Sequence, residues 1–153
     1  MRRGRRIGVD VGDVRIGVAV CDPDGLEATP YETVAAGPDS VARIVAIVEE
    51  TGAFEAVVGL PRSMNGREGP AAVKVRAYAR GLRAALPVGV SLRLFDERMT
   101  TVTAGQMLRQ GGRSSRASRQ VIDQAAATVI LQGALDAERT RGSAPGETLA
   151  GDQ

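Results

Sequence analysis

The chain has 153 residues, a formal net charge of +2, 43% hydrophobic residues, one cysteine and no histidine. That length suits one domain able to bury about 68–70% of its unfolded surface, and no apolar run approaches the ~20 residues of a membrane span. The absence of histidine excludes Ser-His and Cys-His catalysis, a histidine general base and histidine-ligated zinc, while the single Cys21 excludes an intrachain disulfide and suits a reducing cytoplasm.

Taken in order, the arginine-rich start through Arg6 is followed by no apolar stretch before Asp10, so no export signal is expected. Residues 5–11 and 15–20 read as two strands around a Val11-Gly12-Asp13-Val14 turn, and 27–34 as a third. Asp39 or Ser40 can cap a helix to Glu50 with apolar positions Val41, Ile44, Val45 and Val48, stopped by Gly52. Residues 56–60 are a short β-branched run, a buried strand. A loop over 61–69 leads to Pro70, which suits the first turn of a helix to about Leu86. Another strand covers 88–95. Thr100 or Thr101 caps a helix ending at Gly111-Gly112, and a last helix covers about 118–139. Residues 140–153 are rich in Gly, Ala, Pro and Glu and are expected to form a disordered tail, leaving 1–139 as the folded domain. A hairpin-led sheet continued by βα units is a mixed α/β fold with helices on both faces.

Charge is segregated along the chain. Between Cys21 and Glu55 stand eight acids and one base; between Ala56 and Arg119, twelve bases and three acids. Most of these bases are arginine, whose fork matches phosphate, so a polyanionic partner is expected. Arg76, Arg80 and Arg83 share one helical face, as do Arg109, Arg113 and Arg116. The loop before Pro70 carries Arg62, Ser63, Asn65 and Arg67 and ends at a helix N-terminus, an arrangement suited to anions. With two tyrosines and two phenylalanines, binding is expected to rest on phosphates and shape more than on stacked bases.

Three acidic positions stand where a lone carboxylate is costly to bury. Asp10 interrupts the first strand between Gly8 and Gly12, which share its face and leave room for a metal or a phosphate. Asp96 and Glu97 end another strand. They face opposite ways, and alternation does not choose between them: Leu92 and Leu94 share phase with Asp96, Phe95 with Glu97. Either also suits the start of the helix that follows. Asp123 lies on a helical face with Ala126, Ala127 and Ile130, small enough to bring it close to the sheet, or else it is a first-turn acid facing the helix dipole. Clustered oxygen ligands from separate elements are what Mg²⁺ or Mn²⁺ takes.

Four stretches together resemble the bacterial YqgF/RuvX family of Holliday-junction resolvases, also described as pre-16S rRNA nucleases. They are Ile7-Gly8-Val9-Asp10-Val11-Gly12 with Arg15-Ile16-Gly17-Val18-Ala19; Val58-Gly59-Leu60-Pro61 with Met64-Asn65-Gly66 and Glu68-Gly69-Pro70; Asp96-Glu97-Arg98 with Thr100-Thr101; and Asp123-Gln124-Ala125-Ala126-Ala127 with Ile130-Leu131. The resemblance spans about 5–135 and departs from the family at Ser63 and Arg67. It implies an RNase H-like fold: a mixed five-stranded sheet, three antiparallel strands plus two parallel ones, with helices on both faces. It also implies a metal-dependent nuclease in which Asp10, Glu97 and Asp123 form the catalytic acidic triad and hold one or two Mg²⁺ or Mn²⁺ ions, with Asp96 beside them, and whose products carry 5′-phosphate and 3′-hydroxyl ends. Gly12, Arg15, Arg62, Ser63, Asn65, Arg67, Arg76, Arg80, Arg98 and Thr101 are the residues expected to meet phosphate. The partner is structured nucleic acid, either four-way junction DNA or an rRNA precursor, in the cytoplasm and away from membranes. A homodimer would match a symmetric junction. The rival reading is a module of the same fold that binds RNA or DNA without cutting it. An ATPase of the actin/Hsp70 type would need a second phosphate hairpin and a much longer chain.

Overall fold

The computed structural model describes residues 1–62, 65–99 and 115–149, with 115–121 described by backbone alone. Its elements are β1 (Arg6–Val11), β2 (Arg15–Cys21), β3 (Ala28–Ala35), α1 (Ser40–Thr51), β4 (Glu55–Leu60), α2 (Pro70–Ala85), β5 (Ser91–Asp96), a 3₁₀ turn (Glu97–Met99), α3 (Ser115–Arg141) and β6 (Glu147–Leu149). The strands form one sheet in the order β3-β2-β1-β4-β5-β6. Short turns join β1, β2 and β3, so these pair antiparallel. Helical crossovers lead into β4 and β5, which therefore run parallel to β1. All six β4 positions are buried, because that central strand is covered on both faces.

Alternation along the strands sorts side chains into two cores. Ile7, Val9, Val58, Leu92 and Leu94 pack beneath α1 and α2 with Ile44, Ile47, Ala72 and Val75. Ala19, Cys21, Val57 and Phe95 pack on the other face against Ala127, Ile130, Leu131, Ala134 and Leu135 of α3. Helix α1 enters through Asp39, whose side chain makes no capping bond, and stops at Gly52 in a left-handed conformation. The Ser40 hydroxyl instead shares a 2.8 Å hydrogen bond with Tyr78 of α2.

Glycines let α3 lie directly on the sheet. A Cβ on Gly17 would overlap the Asp123 carbonyl oxygen. One on Gly8 would stand 2.7 Å from the Ala127 carbonyl oxygen and from Leu131 Cβ, and one on Gly59 2.7 Å from Glu97 Oε1. The room beside Asp10 at Gly8 is thus filled by helix backbone, not left open for a ligand. Close backbone approach of this kind is possible only where no side chain intervenes.

Several expectations from the sequence need correction. Strand β5 begins at Ser91, because 87–90 form a turn in which the Val90 N–H meets the Pro87 carbonyl at 3.1 Å. Helix α3 starts at Ser115 and runs to Arg141, which puts Asp123 in its third turn, too far in to be a dipole-facing first-turn acid. The sheet has six strands and not five, because the segment expected as a disordered tail supplies β6. Leu149, Thr148 and Glu147 pair antiparallel with Leu92, Arg93 and Leu94. The bare polar composition of 140–149 did not show that the β5 edge offers it a ladder of hydrogen bonds. The helix expected from Thr100 or Thr101 to Gly111-Gly112 lies outside the described residues.

Candidate active site

Strand β1 carries Asp10 opposite Gly17 of β2, on the face covered by α3. The β5 alternation resolves the two adjacent acids. Phe95 faces α3, and Glu97, in phase with it, places Oε1 against Gly59 on that same face. Leu92 and Leu94 face the opposite core, and Asp96 follows their phase. Asp96 accepts from the backbone N–H of Arg98 at 2.9 Å and from its guanidinium at 2.6–3.1 Å. Those bonds, the guanidinium first, hold the Asp96 carboxyl below its ordinary range. Asp123, with its backbone seated on Gly17, accepts from Arg15 Nε at 2.7 Å.

Asp10 and Glu97 are displaced in the other direction. Burial, then the charge of Asp123, pushes Asp10 up to about 6. Burial, then the charges of Asp10 and Asp96, pushes Glu97 up to about 7. The structure therefore brings all three expected acids to the carboxyl ends of β1 and β5 and the facing turn of α3. Asp10 and Glu97 both line an open cleft of about 350 Å³. Its other wall is the start of α2, with Pro61, Pro70 and Lys74. Among the described residues, no three His, Cys, Asp or Glu side chains already stand as a metal-ligand group. The donor chemistry fits a hard divalent cation. It is oxygen-only, and two of the carboxylates are held towards the neutral form by burial and then by the charges of neighbouring acids, the condition a dication relieves. Asp123 by contrast already faces a cation, the Arg15 guanidinium.

Residues 4–137 match the family model described as RuvX, Holliday junction resolvase. The chain belongs to the RuvX family. It is 61% identical over 150 residues to a protein of Streptomyces avermitilis that carries the provisional name pre-16S rRNA nuclease, covering 96% of this chain and 95% of that one. A Nocardioides protein of the same name is 59% identical over 154 residues, covering 97% and 98%. The fold is that of RuvC: the Thermus thermophilus RuvC solved with a Holliday junction substrate superposes with a TM-score of 0.59 at 19% identity, covering 95% of this chain and 99% of that one.

Several arginines of this RuvX-family chain that are expected to meet phosphate also pair with its own carboxylates. Arg15 is bonded to Asp123, Arg98 to Asp96. Arg76 is clasped between Glu68 at 2.6 Å and Glu147 at 3.0 Å, so it joins the loop before α2 to β6 and does not present a bare charge. Arg62 lies 3.5 Å from Glu68, with its Nε buried and lacking a hydrogen-bond partner. Asn65 Oδ1 accepts from the Arg67 N–H at 3.1 Å, shaping the loop. Arg80 is exposed and Gly12 lines the cleft. Ser63, Thr101, Arg109 and Arg113 lie outside the described residues, as does the side chain of Arg116.

Two features escaped the sequence reading. Lys74, the one lysine of the chain, lines the cleft and lies 3.5 Å from Asp13; its place one turn into the helix after the anion-suited loop was the available signal. The second is a buried ionic cluster at the other end of the strands, formed by Arg2, Arg6, Glu55 and Glu138. No described helix is long and apolar enough to cross a membrane.

Proposed function

We propose that this protein is a divalent-metal-dependent nuclease that hydrolyses phosphodiester bonds of structured nucleic acid, with Asp10, Glu97 and Asp123 as metal ligands. The observation that carries this reading is the pair Asp10 and Glu97. Two carboxylates raised by burial and then by the charges of neighbouring acids, both opening onto one cleft, mark a place suited to a positive charge. Bound Mg²⁺ or Mn²⁺, as one or two ions, would acidify a water and neutralise charge on the phosphate. The chain's own part is to hold three oxygens from three elements in register and to receive the phosphate against the start of α2. There the backbone N–H of Ala71, in the first turn of α2, and the Lys74 ammonium favour an anion. A residual proton on Glu97, whose carboxyl sits at about 7, would be expelled by the ion.

The names of the similar Streptomyces and Nocardioides proteins favour an rRNA precursor as substrate, and on that reading the protein works beside ribosome assembly in the cytoplasm. The description of the family model favours four-way junction DNA, and that substrate would call for a homodimer with two sites across its symmetry. The deciding experiment presents matched pre-16S rRNA leader, four-way junction and linear duplex to one purified preparation, in Mn²⁺, Mg²⁺ and EDTA. Metal-dependent cutting of the RNA leader with 5′-phosphate products is expected. Tight binding of RNA or DNA with no cutting in any metal would instead establish the non-catalytic module.

A further inference from the structure

We infer that Arg15 is a built-in counter-ion for Asp123, that a divalent cation displaces it, and that the released guanidinium then turns to a phosphate of the nucleic acid. The inference rests on the reading of Asp123 as a metal ligand. Three observations carry it. The Arg15 Nε is 2.7 Å from Asp123 Oδ2, so one oxygen of the expected ligand is already engaged by a positive charge. Asp10 lies opposite Gly17 across β1 and β2, and the Asp123 backbone is seated on that same glycine, so a cation held between the two acids would compete with the guanidinium for Asp123. The Arg15 carbonyl accepts from the Gly12 N–H at 3.0 Å, and Gly12 lines the cleft. The backbone of Arg15 is thus fixed at the rim, while its side chain, 31% exposed, is able to reorient across it.

Two positive groups competing for one carboxylate make metal and polyanion binding cooperative. The ion frees the arginine, the arginine binds phosphate, and by linkage each ligand tightens the other by the same factor. A guanidinium whose carboxylate has been taken has its fork of donors available for phosphate.

Mn²⁺ titration calorimetry on the full chain, without nucleic acid, tests this. Arg15→Gln is expected to tighten Mn²⁺ binding by about fivefold or more, and the same substitution in an Asp123→Asn background to change it little. A long-range charge effect would persist in both backgrounds, and that result would overturn the displacement. In the wild type, Mn²⁺ should tighten binding of a 2′-O-methyl RNA hairpin, and Arg15→Gln should abolish that coupling. If Arg15→Gln does not fold, Arg15→Lys, which keeps the charge but loses the Nε–H, takes its place with the same expected direction. Weaker or unchanged Mn²⁺ binding in the arginine variant, while Asp123→Asn still lowers affinity, refutes the counter-ion alone. Unaltered Mn²⁺ affinity in Asp123→Asn removes the metal-ligand reading and the counter-ion with it.

Discussion

The same elements end in charge twice, and the two ends are built oppositely. At their starts, β1 and β4 pair Arg6 with Glu55 in register, and the far end of α3 brings Glu138 onto them. Glu138 accepts from Arg2 and Arg6 at 2.7–3.1 Å, and Glu55 from Arg2 and Ser91 at 2.8–3.2 Å. Arg2 and Arg6 also stack 4.9 and 4.7 Å from the Phe54 ring centre. Burial alone would raise both acids, yet the arginine bonds outweigh it, leaving Glu55 below its ordinary value and Glu138 at about 2. At the carboxyl ends, Asp10 and Glu97 are buried beside other acids and rise instead. Burial costs a carboxylate in either place. What differs is the neighbours that the described residues provide: arginines at the starts of the strands, further acids at their carboxyl ends.

Removing one acid from each end should break the comparison in opposite senses. Asp10→Asn or Glu97→Gln is expected to slow single-turnover cleavage by about 10³-fold or more, since a metal-borne charge supplies several kcal/mol and each 1.36 kcal/mol is tenfold. The same variants should melt no lower than the wild type in EDTA at pH 8; a sharp drop in melting temperature would make these acids structural. Glu138→Gln should do the reverse. It leaves buried Arg6 without its carboxylate, a loss of about 3–5 kcal/mol in denaturant unfolding, with cleavage per folded molecule nearly unchanged.

The pH dependence separates the ends next. Glu138 and Glu55 have depressed values, so their contribution is present above about 4.5 and fades as pH falls towards 2. Asp10 and Glu97 have raised values, so their contribution is fullest below about 4 and is lost as pH rises through 6 to 7. In EDTA the melting temperature should therefore decline from pH 5 to pH 8, and Mn²⁺ should reverse the decline. A flat profile in EDTA would mean that the two acids are solvated. The smallest effect belongs to the C-terminal strand. Ending the chain after Arg141 removes β6 and the exposed Arg76–Glu147 pair, worth about 1 kcal/mol in all, or a few degrees of melting temperature.

Most elements were readable because each rests on local pattern: alternation for β1, helical spacing for α1 and α2, and a polar residue set in an apolar run for Asp10 and Asp123. At the end of β5 alternation left Asp96 and Glu97 open, and only the packed sheet separates their faces. Pairing was not readable. Nothing local tells that Arg15 meets Asp123, 108 positions away, or that Arg76 meets Glu147, 71 away. The carboxylate partners of Arg15, Arg76 and Arg98 are likewise no part of the pattern that sets these residues against phosphate. Gly8 suggested open space because a missing side chain looks the same whether a ligand or a helix backbone fills the gap. Strand β6 has three residues, too few for periodicity, and its pairing with β5 is a long-range event.

Arg2 meets Glu138 across 136 positions, and α3 supplies both Asp123 and the cover over Asp10. During synthesis the β1–β3 meander emerges early, but its α3-facing side has no partner until α3 has left the ribosome. The nascent protein therefore holds Asp10 without Asp123, and the latch at Arg2 cannot close. The candidate site is thus assembled from the first strand and the last long helix, and neither is complete without the other.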